Sequence, residues 1–468
     1  MRNFLIPTLL AASLTLAGCV SMAPAYERPA APVATQWPVP QAKTADAKAT
    51  DIGWREFFTD TTLQQLIEQA LANNRDLRVA VLNVERAQAQ YGVQRADRMP
   101  TVSAGAGQTA TSAPGGTITR QYTATLGVSA YELDLFGRVK SLNDAALQQY
   151  LASDDARRSA QIGLVAQVAG GYLTLAADQE RLRVAEQTLL ARQDSLRLTQ
   201  RLQAAGVSST LDLRQAEIAA ETAQSDLASL TAQVAQDRHA LELLVGQPLT
   251  PAQWPTAGTA APVTQLAELS AGLPSDTLLA RPDVQQAERA LQAANANIGA
   301  ARAAFFPRIS LTASAGTASS ELDGLFRSGS GMWSFIPQVS LPIFDAGRNQ
   351  ANLKVAQVDR DIAVAQYEKA IQSAFRDVAD ALAQRATLGQ QVASQQRLVT
   401  QTQDALRLAE ARYEKGVDDR LATLDAQRSL YAAQQGLIAA RLAQQVNRVT
   451  LYKALGGGAG AAAPQSAS

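Results

Sequence analysis

The stretch Arg348–Gly456 decides the fold: it begins RNQANLKVAQVDRDIAVAQYEKA, continues through ARYEKGVDDRLATLDAQRSL and ends LYKALG. From Arg348 to Lys415 it runs 68 residues without a proline, and Gly416 follows. Apolar residues recur there at steps of three and four, which predicts a helix with one apolar seam. The seam residues are Val358, Ile362, Ala365, Ile371, Phe375, Val378, Leu382, Val399, Leu406, Ala409 and Tyr413. At about 1.5 Å per residue such a helix is roughly 100 Å long, so it needs partners.

The partner is a second copy of the same pattern, 210 residues earlier in the chain. Arg138–Ala205 is again a run of 68 residues without proline. Matching positions are Arg138 and Arg348, Gly206 and Gly416, and Gly246 and Gly456. An internal repeat predicts two similar halves, each with a long helix, a break at glycine and a shorter returning helix.

The N-terminus has the pattern of an export signal. Arg2 precedes an apolar run, Phe4–Leu16, and the sequence Leu16-Ala17-Gly18-Cys19 has the form of a bacterial lipobox. Cys19 is the only cysteine in the chain, so we predict that it is lipidated and that the mature protein starts there. The alternative is an ordinary signal peptide with a chance cysteine. No disulfide can form within the chain.

Four segments alternate apolar and small polar residues with period two, which is typical of β-strands. They are Thr101–Thr111, Tyr122–Ala130, Arg308–Ala315 and Trp333–Ile343. Each is close to the length of a tilted membrane strand, and they come as two hairpins. Four strands cannot close a barrel, so closure requires oligomerisation; two chains would give eight strands and three would give twelve. The alternative is a soluble sheet with one wet face.

These patterns predict the following division of the chain: a signal peptide (1–18), a lipidated extended segment (19–60), a first repeat (61–246), an equatorial connection (247–274), a second repeat (275–456) and a disordered tail (457–468). Within the repeats, Thr61–Arg98 and Ser275–Phe306 are expected to form helices that stack end to end with the returning helices.

Several functions are disfavoured by composition. The chain has 42 basic and 42 acidic residues, so nothing points to nucleic acid. His239 is the only histidine, and with one cysteine the chain lacks the residues for a His-based triad or a His/Cys metal site. We find no P-loop motif. The sequence predicts no enzyme, no cofactor and no metal.

Three motifs carry a resemblance to a known family. They are Leu-Asp-Leu-Phe-Gly-Arg at Leu133–Arg138, Leu-Pro-Ile-Phe-Asp-Ala-Gly-Arg at Leu341–Arg348, and the pattern Gly-Val-x-x-x-Leu-x-x-Leu-Asp-Ala-Gln-Arg at Gly416–Arg428. With the lipobox and the repeat, the chain resembles the outer-membrane factors, the TolC/OprM-type lipoproteins of tripartite efflux systems.

The resemblance implies an α+β, mostly helical homotrimer, with a twelve-stranded transmembrane β-barrel continued by a long α-helical barrel in the periplasm. It implies an exit duct for small molecules in the outer membrane, working with a periplasmic adaptor protein and an inner-membrane efflux transporter. Two alternatives stay open: a TolC-like duct for protein export, and an exported coiled-coil structural protein without a pore.

The resemblance also implies a periplasmic gate. Leu421, Asp425 and Arg428 follow the second tip at steps of four and three, so they share a helical face. The matching residues of the family form constricting rings and an ionic latch. The alternative is a seam leucine beside an ordinary surface ion pair. Asp212 is a candidate partner for Arg428. The tip residues expected to contact the adaptor are Gly206, Val207, Gly416 and Val417.

Overall fold

The structure is a computed structural model that describes residues 21–38, 52–112, 114–116, 118–255 and 274–457. The signal peptide, Cys19, most of the equatorial connection and the tail lie outside the described residues. The helices are α1 (Trp54–Phe57), α2 (Thr61–Asn73), α3 (Arg75–Ala96), α4 (Arg138–Ala204), α5 (Thr210–Val245), α6 (Pro274–Leu279), α7 (Pro282–Ala303), α8 (Arg348–Glu414) and α9 (Arg420–Ala454). The strands are β1 (Val102–Ser112), β2 (Ile118–Leu133), β3 (Arg308–Ser319) and β4 (Gly331–Ser340).

The internal repeat is confirmed in the backbone. Helices α4 and α8 each have 67 residues, and the returning helices α5 and α9 have 36 and 35. Glycines 210 positions apart all have positive φ: Gly137 and Gly347, Gly206 and Gly416, Gly246 and Gly456. A residue with a Cβ avoids that conformation, so glycine sets where each helix starts or stops.

Two helices that the sequence predicts as continuous are each divided in two. Asn74 separates α2 from α3: its backbone is extended, its side-chain oxygen accepts from the Leu77 N–H at 2.9 Å, and its amide donates to the Leu244 carbonyl at 2.9 Å. An asparagine that caps a new helix is worth about 1 kcal/mol, which offsets the break. Pro282 divides the second predicted helix and starts α7. The segment predicted as extended also contains α1, which the sequence patterns did not indicate.

The four strands form one antiparallel sheet in the order β1-β2-β3-β4. Their register places one set of apolar residues from all four strands on a common face, because Val102 pairs with Val128, Ala313 pairs with both Val128 and Phe335, and Ala315 pairs with Trp333. The other face carries mainly serine, threonine and glycine, and Met332 and Ile336 of β4 are its apolar exceptions. This is the two-faced pattern of a membrane barrel strand.

A bulge in β2 changes the predicted strand length. Ala130 has φ 53° and donates its N–H to Thr312 Oγ1 at 3.1 Å. The register moves from Val128 with Ala313 to Tyr131 with Leu311. The extra residue keeps Tyr131 on the apolar face, and the strand therefore continues to Leu133, beyond the predicted end.

The described chain forms two compact units. The first unit comprises the described residues within 21–30, 82–155 and 285–369. In it the N-terminal segment lies along α7: Arg28 donates two bonds to Glu288 at 2.8 and 3.1 Å, Tyr26 donates to the same carboxylate at 3.0 Å, and Asn295 donates to the Pro24 carbonyl at 2.8 Å. Burial and this carboxylate raise the pKa of Tyr26 to about 12.

The second unit comprises the described residues within 31–81, 156–284 and 370–457 and holds the main apolar core. Phe57 stacks on Tyr452 with ring centroids 3.8 Å apart, and both rings are buried. Arg281, 7% exposed, donates to the Ala454 carbonyl at 2.8 Å and to Asp283 at 2.7 Å, so it caps the end of α9. This core holds the helices from which the two tips extend.

The predicted seam of α8 is confirmed only in part. Ile371 and Val378 are fully buried, whereas Val358 and Ile362 are 39% and 49% exposed in the single chain. Among the described helices, α4 alone is long and apolar enough to cross a membrane, with a best window of mean hydropathy 1.3. Half of that window is buried within the chain, as in a core helix, so the measure is weak evidence of a membrane span.

Candidate gate at the helical tips

Both long helices end in the same hydrogen-bonded turn. At the first tip, Val207 donates its N–H to the Leu202 carbonyl at 2.9 Å and Gly206 donates to Gln203 at 3.0 Å. At the second tip, Val417 donates to Arg412 at 2.9 Å and Gly416 to Tyr413 at 2.9 Å. This pair of bonds around a left-handed glycine is a Schellman motif. Both turns leave their valine exposed, Val207 at 74% and Val417 at 60%.

Each tip is held by a different carboxylate. In the first, Ser209 and Asp212 form a capping box: Ser209 donates its N–H to the Asp212 carboxylate at 3.0 Å, and Asp212 donates its N–H to Ser209 Oγ at 3.1 Å. In the second, the Arg412 guanidinium donates two hydrogen bonds to the Asp418 carboxylate, at 2.6 and 2.8 Å. The Ser209 hydroxyl lowers the pKa of Asp212, and the Arg412 guanidinium lowers the pKa of Asp418.

The three predicted gate residues lie together on the first turns of α9. Leu421 is 46% exposed, and Asp425 forms an ion pair with Arg428 one turn later. Both charged side chains are exposed, at 52% and 73%. In the single chain, Asp425 is thus the acidic partner of Arg428. Asp212, the candidate partner from the sequence, is engaged by Ser208 and Ser209 instead.

Directly after the candidate gate residues, Tyr431 of α9 contacts the first helical hairpin, which consists of α4 and α5. The Arg192 guanidinium of α4 lies 5.8 Å from the centroid of the Tyr431 ring, within cation–π range. Arg192 is only 6% exposed and donates to the Ala219 carbonyl of α5 at 2.9 Å. Burial raises the pKa of Tyr431, and the neighbouring Asp226 carboxylate adds to the rise. Burial lowers the pKa of Arg192. One tyrosine therefore joins three helices.

The face of α9 that carries Tyr431 is polar from Thr423 to Gln435. Thr423, Gln427, Tyr431 and Gln435 recur every four residues, and Gln435 donates to the Arg181 carbonyl of α4 at 3.4 Å. Thr423 Oγ1 and Gln427 Oε1 are buried and have no hydrogen-bond partner within the described residues. Buried polar atoms that lack partners weaken a packed contact, so this face holds α9 less firmly than an apolar seam would.

The tips and the gate residues lie on the turns that the sequence predicts, whereas Arg192 was missed. Nothing in its local sequence separates it from the other arginines of α4. The only available signal was its helical face, which it shares with Ser195 and Thr199 at spacings of three and seven, and that polar face indicates no particular role. The role of Arg192 depends on Tyr431, 239 residues later in the chain.

With this geometry known, comparisons with other proteins identify the family. The sequence profile described as outer membrane efflux protein matches residues 66–247 and 273–457. The chain belongs to that family. The matched ranges contain both hairpins of strands, both tips and the gate residues.

Individual relatives of this efflux protein agree with the assignment. The probable efflux pump outer membrane protein TtgC of Pseudomonas putida is 50% identical over 466 residues, covering 96% of this chain and 95% of its own. Outer membrane protein OprJ of Pseudomonas aeruginosa is 45% identical, covering 95% and 94%. The open state of the MtrE outer membrane channel of Neisseria gonorrhoeae has a TM-score of 0.85 and 40% identity, covering 94% of this chain and 98% of that one.

Family membership confirms the predicted fold class and location. The protein is a trimeric channel of the outer membrane, in which the four strands of each chain contribute to a twelve-stranded barrel and the long helices form the helical barrel. The two open edges of the sheet agree with this, because β1 pairs only with β2 and β4 only with β3 among the described strands.

Proposed function

We propose that this chain is the outer-membrane exit duct of a tripartite efflux pump, passively conducting small molecules that an inner-membrane transporter expels through a periplasmic adaptor protein. The similarity to efflux-pump outer membrane proteins over 96% of the chain carries the proposal. Relatives at 49–50% identity are named as toluene, solvent and antibiotic efflux components. The substrates are therefore proposed to be small, largely apolar compounds rather than proteins.

The division of labour within the chain is part of the proposal. The lipidated N-terminus (19–60) anchors the chain, the two repeats (61–246 and 275–456) build the duct, and the connection (247–274) joins them. The duct itself carries out no chemistry. The TolC-like export of proteins is the second candidate, and the names of the relatives do not favour it.

The proposed gate lies on the first turns of α9, from Leu421 to Arg428. Three copies of Leu421 around the trimer axis form an apolar constriction, and three copies of Asp425 form a carboxylate ring that attracts cations. Arg428 pairs with Asp425 and reduces repulsion within the ring. The matching turn of α5 carries Arg214 and Gln215 where α9 has Leu424 and Asp425, so only one tip of each chain supplies a carboxylate to the ring.

Single-channel recording in a planar bilayer tests the gate. We expect Asp425→Ala with Arg428→Ala to raise conductance and lower cation preference, and Leu421→Ala to raise the conductance of the closed channel. The matched control is Arg214→Ala with Glu217→Ala, because that pair also lies three residues apart just after a tip, at 2.7 Å. If conductance and ion selectivity stay at wild-type values in both gate variants, the constriction lies elsewhere.

A further inference from the structure

A cleft of about 270 Å³ lies in the first unit, where β2 and β4 end, β3 begins, and α4 and α8 start. Its floor is an ion-pair cluster: Arg138 donates two bonds to Glu132 at 2.8 and 2.7 Å, and Arg308 lies 3.3 Å from the same carboxylate. One wall is the ring of Phe136 stacked on Phe306, with centroids 4.8 Å apart. The cleft is therefore polar at its base and aromatic at its side.

The cleft carries an excess of positive charge. Three arginines line it, namely Arg138, Arg308 and Arg348, against two carboxylates. Glu132 is shared by two of the arginines, and Asp134 accepts the Lys140 N–H at 2.7 Å. Arg348 is exposed and forms none of the ion pairs found among the described residues. The pKa of the Asp345 carboxylate is lowered by the bonds that it accepts from the N–H groups of Asn349 and Gly347, and Arg348 adds to that lowering. A guanidinium in that position favours a bound anion with oxygen acceptors.

The surroundings of the cleft are apolar and exposed. Ile343 and Phe344, in the loop between β4 and α8, are 88% and 89% exposed, and Leu135 is 53% exposed. Large apolar side chains with that exposure are normal where lipid covers the protein. Since the strands cross the outer membrane and the helices extend into the periplasm, the cleft lies at the level of the inner-leaflet headgroups.

The N-terminal segment lies beside the same helix ends as the cleft, as expected if its lipid anchor is in the inner leaflet. Ser21, two residues after the predicted lipid attachment site, has its Oγ 3.5 Å from Ser141 Oγ, at the start of α4. Arg302, at the end of α7, donates to the Met22 carbonyl at 3.2 Å. The described chain thus begins, at Ser21 and Met22, beside the same helix ends that form the cleft.

We propose that the cleft binds the phosphate of an inner-leaflet glycerophospholipid. Arg348 and Arg308 bind the phosphate oxygens, the Phe136–Phe306 pair contacts the glycerol, and the acyl chains follow Ile343 and Phe344. Asn349 holds the two sides of the cleft together by donating to the Ala304 carbonyl at 3.1 Å. This site does not depend on the gate, and it would stand if the gate proposal failed.

Native mass spectrometry of the delipidated trimer, titrated with phosphatidylglycerol, tests the proposal. We expect up to three saturable lipids per trimer. Arg348→Gln should weaken their binding by about tenfold, the usual effect of losing one charge-assisted hydrogen bond. The matched control is Arg327→Gln, another exposed arginine, in the β3–β4 loop, that pairs with Asp323 at 2.5 Å. Equal loss, or no loss, in the two variants would overturn the assignment.

A second variant separates a lipid from free phosphate. Phe344→Ser removes apolar contact without touching the arginines, so it should weaken phosphatidylglycerol binding and leave competition by inorganic phosphate unchanged. If inorganic phosphate binds as tightly as the lipid in the wild-type trimer, the site is a free-phosphate site and the lipid assignment fails. The trimer peak in each spectrum reports that every variant still folds and assembles.

Discussion

At the residue scale, the second tip depends on one ion pair, Arg412 with Asp418. Because the arginine lowers the pKa of the carboxyl below its ordinary value of 3.8, the pair stabilises the turn fully above that value. The stabilisation is lost as the pH falls through the lowered value of the folded state. The first tip has the same direction of dependence through Asp212, whose pKa is also lowered.

We expect Asp418→Asn to loosen the second tip at neutral pH. Lys415 lies in that turn, so trypsin at pH 8 should cut after it several-fold faster in the variant. Asp404→Asn is the control, because it removes the partner of Arg407 about three turns before the end of α8 and should leave this cleavage unchanged. In the wild type, amide exchange at Gly416, corrected for its intrinsic rate, should increase as the pH falls below 3.8. Equal cleavage rates would show that the glycine turn alone holds the tip.

The exposed tip valines are the second feature at this scale. Val417→Trp should abolish efflux, measured as substrate accumulation in cells, because the tips are proposed to contact the adaptor and a bulky ring cannot enter a fitted contact. Trimer assembly of the Val417→Trp variant should be normal, because Val417 is exposed at the tip. The control is Leu322→Trp, an equally exposed residue (66%) in the β3–β4 loop. Unchanged efflux in Val417→Trp and Val207→Trp would place the adaptor contact elsewhere.

At the element scale, α9 differs from its repeat partner α5 in how it is held. Tyr431 connects α9 to Arg192 of α4 and Asp226 of α5, whereas Thr423 and Gln427 contribute buried oxygens without partners among the described residues. The proposed gate residues therefore lie on a helix whose contacts are concentrated at Tyr431, one turn after Arg428 and about three turns after Leu421. A helix held in this way can move at its tip while its far end stays fixed in the apolar core.

Tyr431→Phe tests that hold. The substitution keeps the ring over Arg192 and removes the hydroxyl, so it should cost about 1 kcal/mol of local stability. Amide exchange of residues 423–433 should then be about fivefold faster. Tyr431→Ala removes the ring as well. It should raise the amide exchange rate beyond that of Tyr431→Phe, and it should also raise the conductance of the closed channel. If exchange in α9 is unaffected by either change, the helix is held by its other contacts.

At the scale of the whole molecule, the sheet has two open edges, β1 and β4. Unpaired backbone groups cost several kcal/mol each within a bilayer, so the edges must pair with those of neighbouring chains. We expect the purified protein to cross-link as trimers in mild detergent. Cys19→Ser should impair lipoprotein processing yet keep the trimer, because the barrel itself holds the protein in the membrane. A cross-linking ladder that stops at dimers would contradict this closure.

The sequence by itself determined the features that depend on local periodicity. The 67-residue helices, the four strands and both tips follow from the spacing of apolar residues and from glycines that must adopt positive φ. The proposed gate residues were also placed on the first turns of α9 from the sequence, and the gate role proposed for them came from the resemblance.

Only the tertiary structure decided the features that join distant parts of the chain. The pairing of β2 with β3, and the bulge at Ala130, depend on Thr312, 182 residues away. Asn74 ends a helix because the Leu244 carbonyl accepts its amide, and Arg192 acquires its role from Tyr431. Local propensity cannot report such contacts, because their energies arise only when the two partners meet in the folded chain.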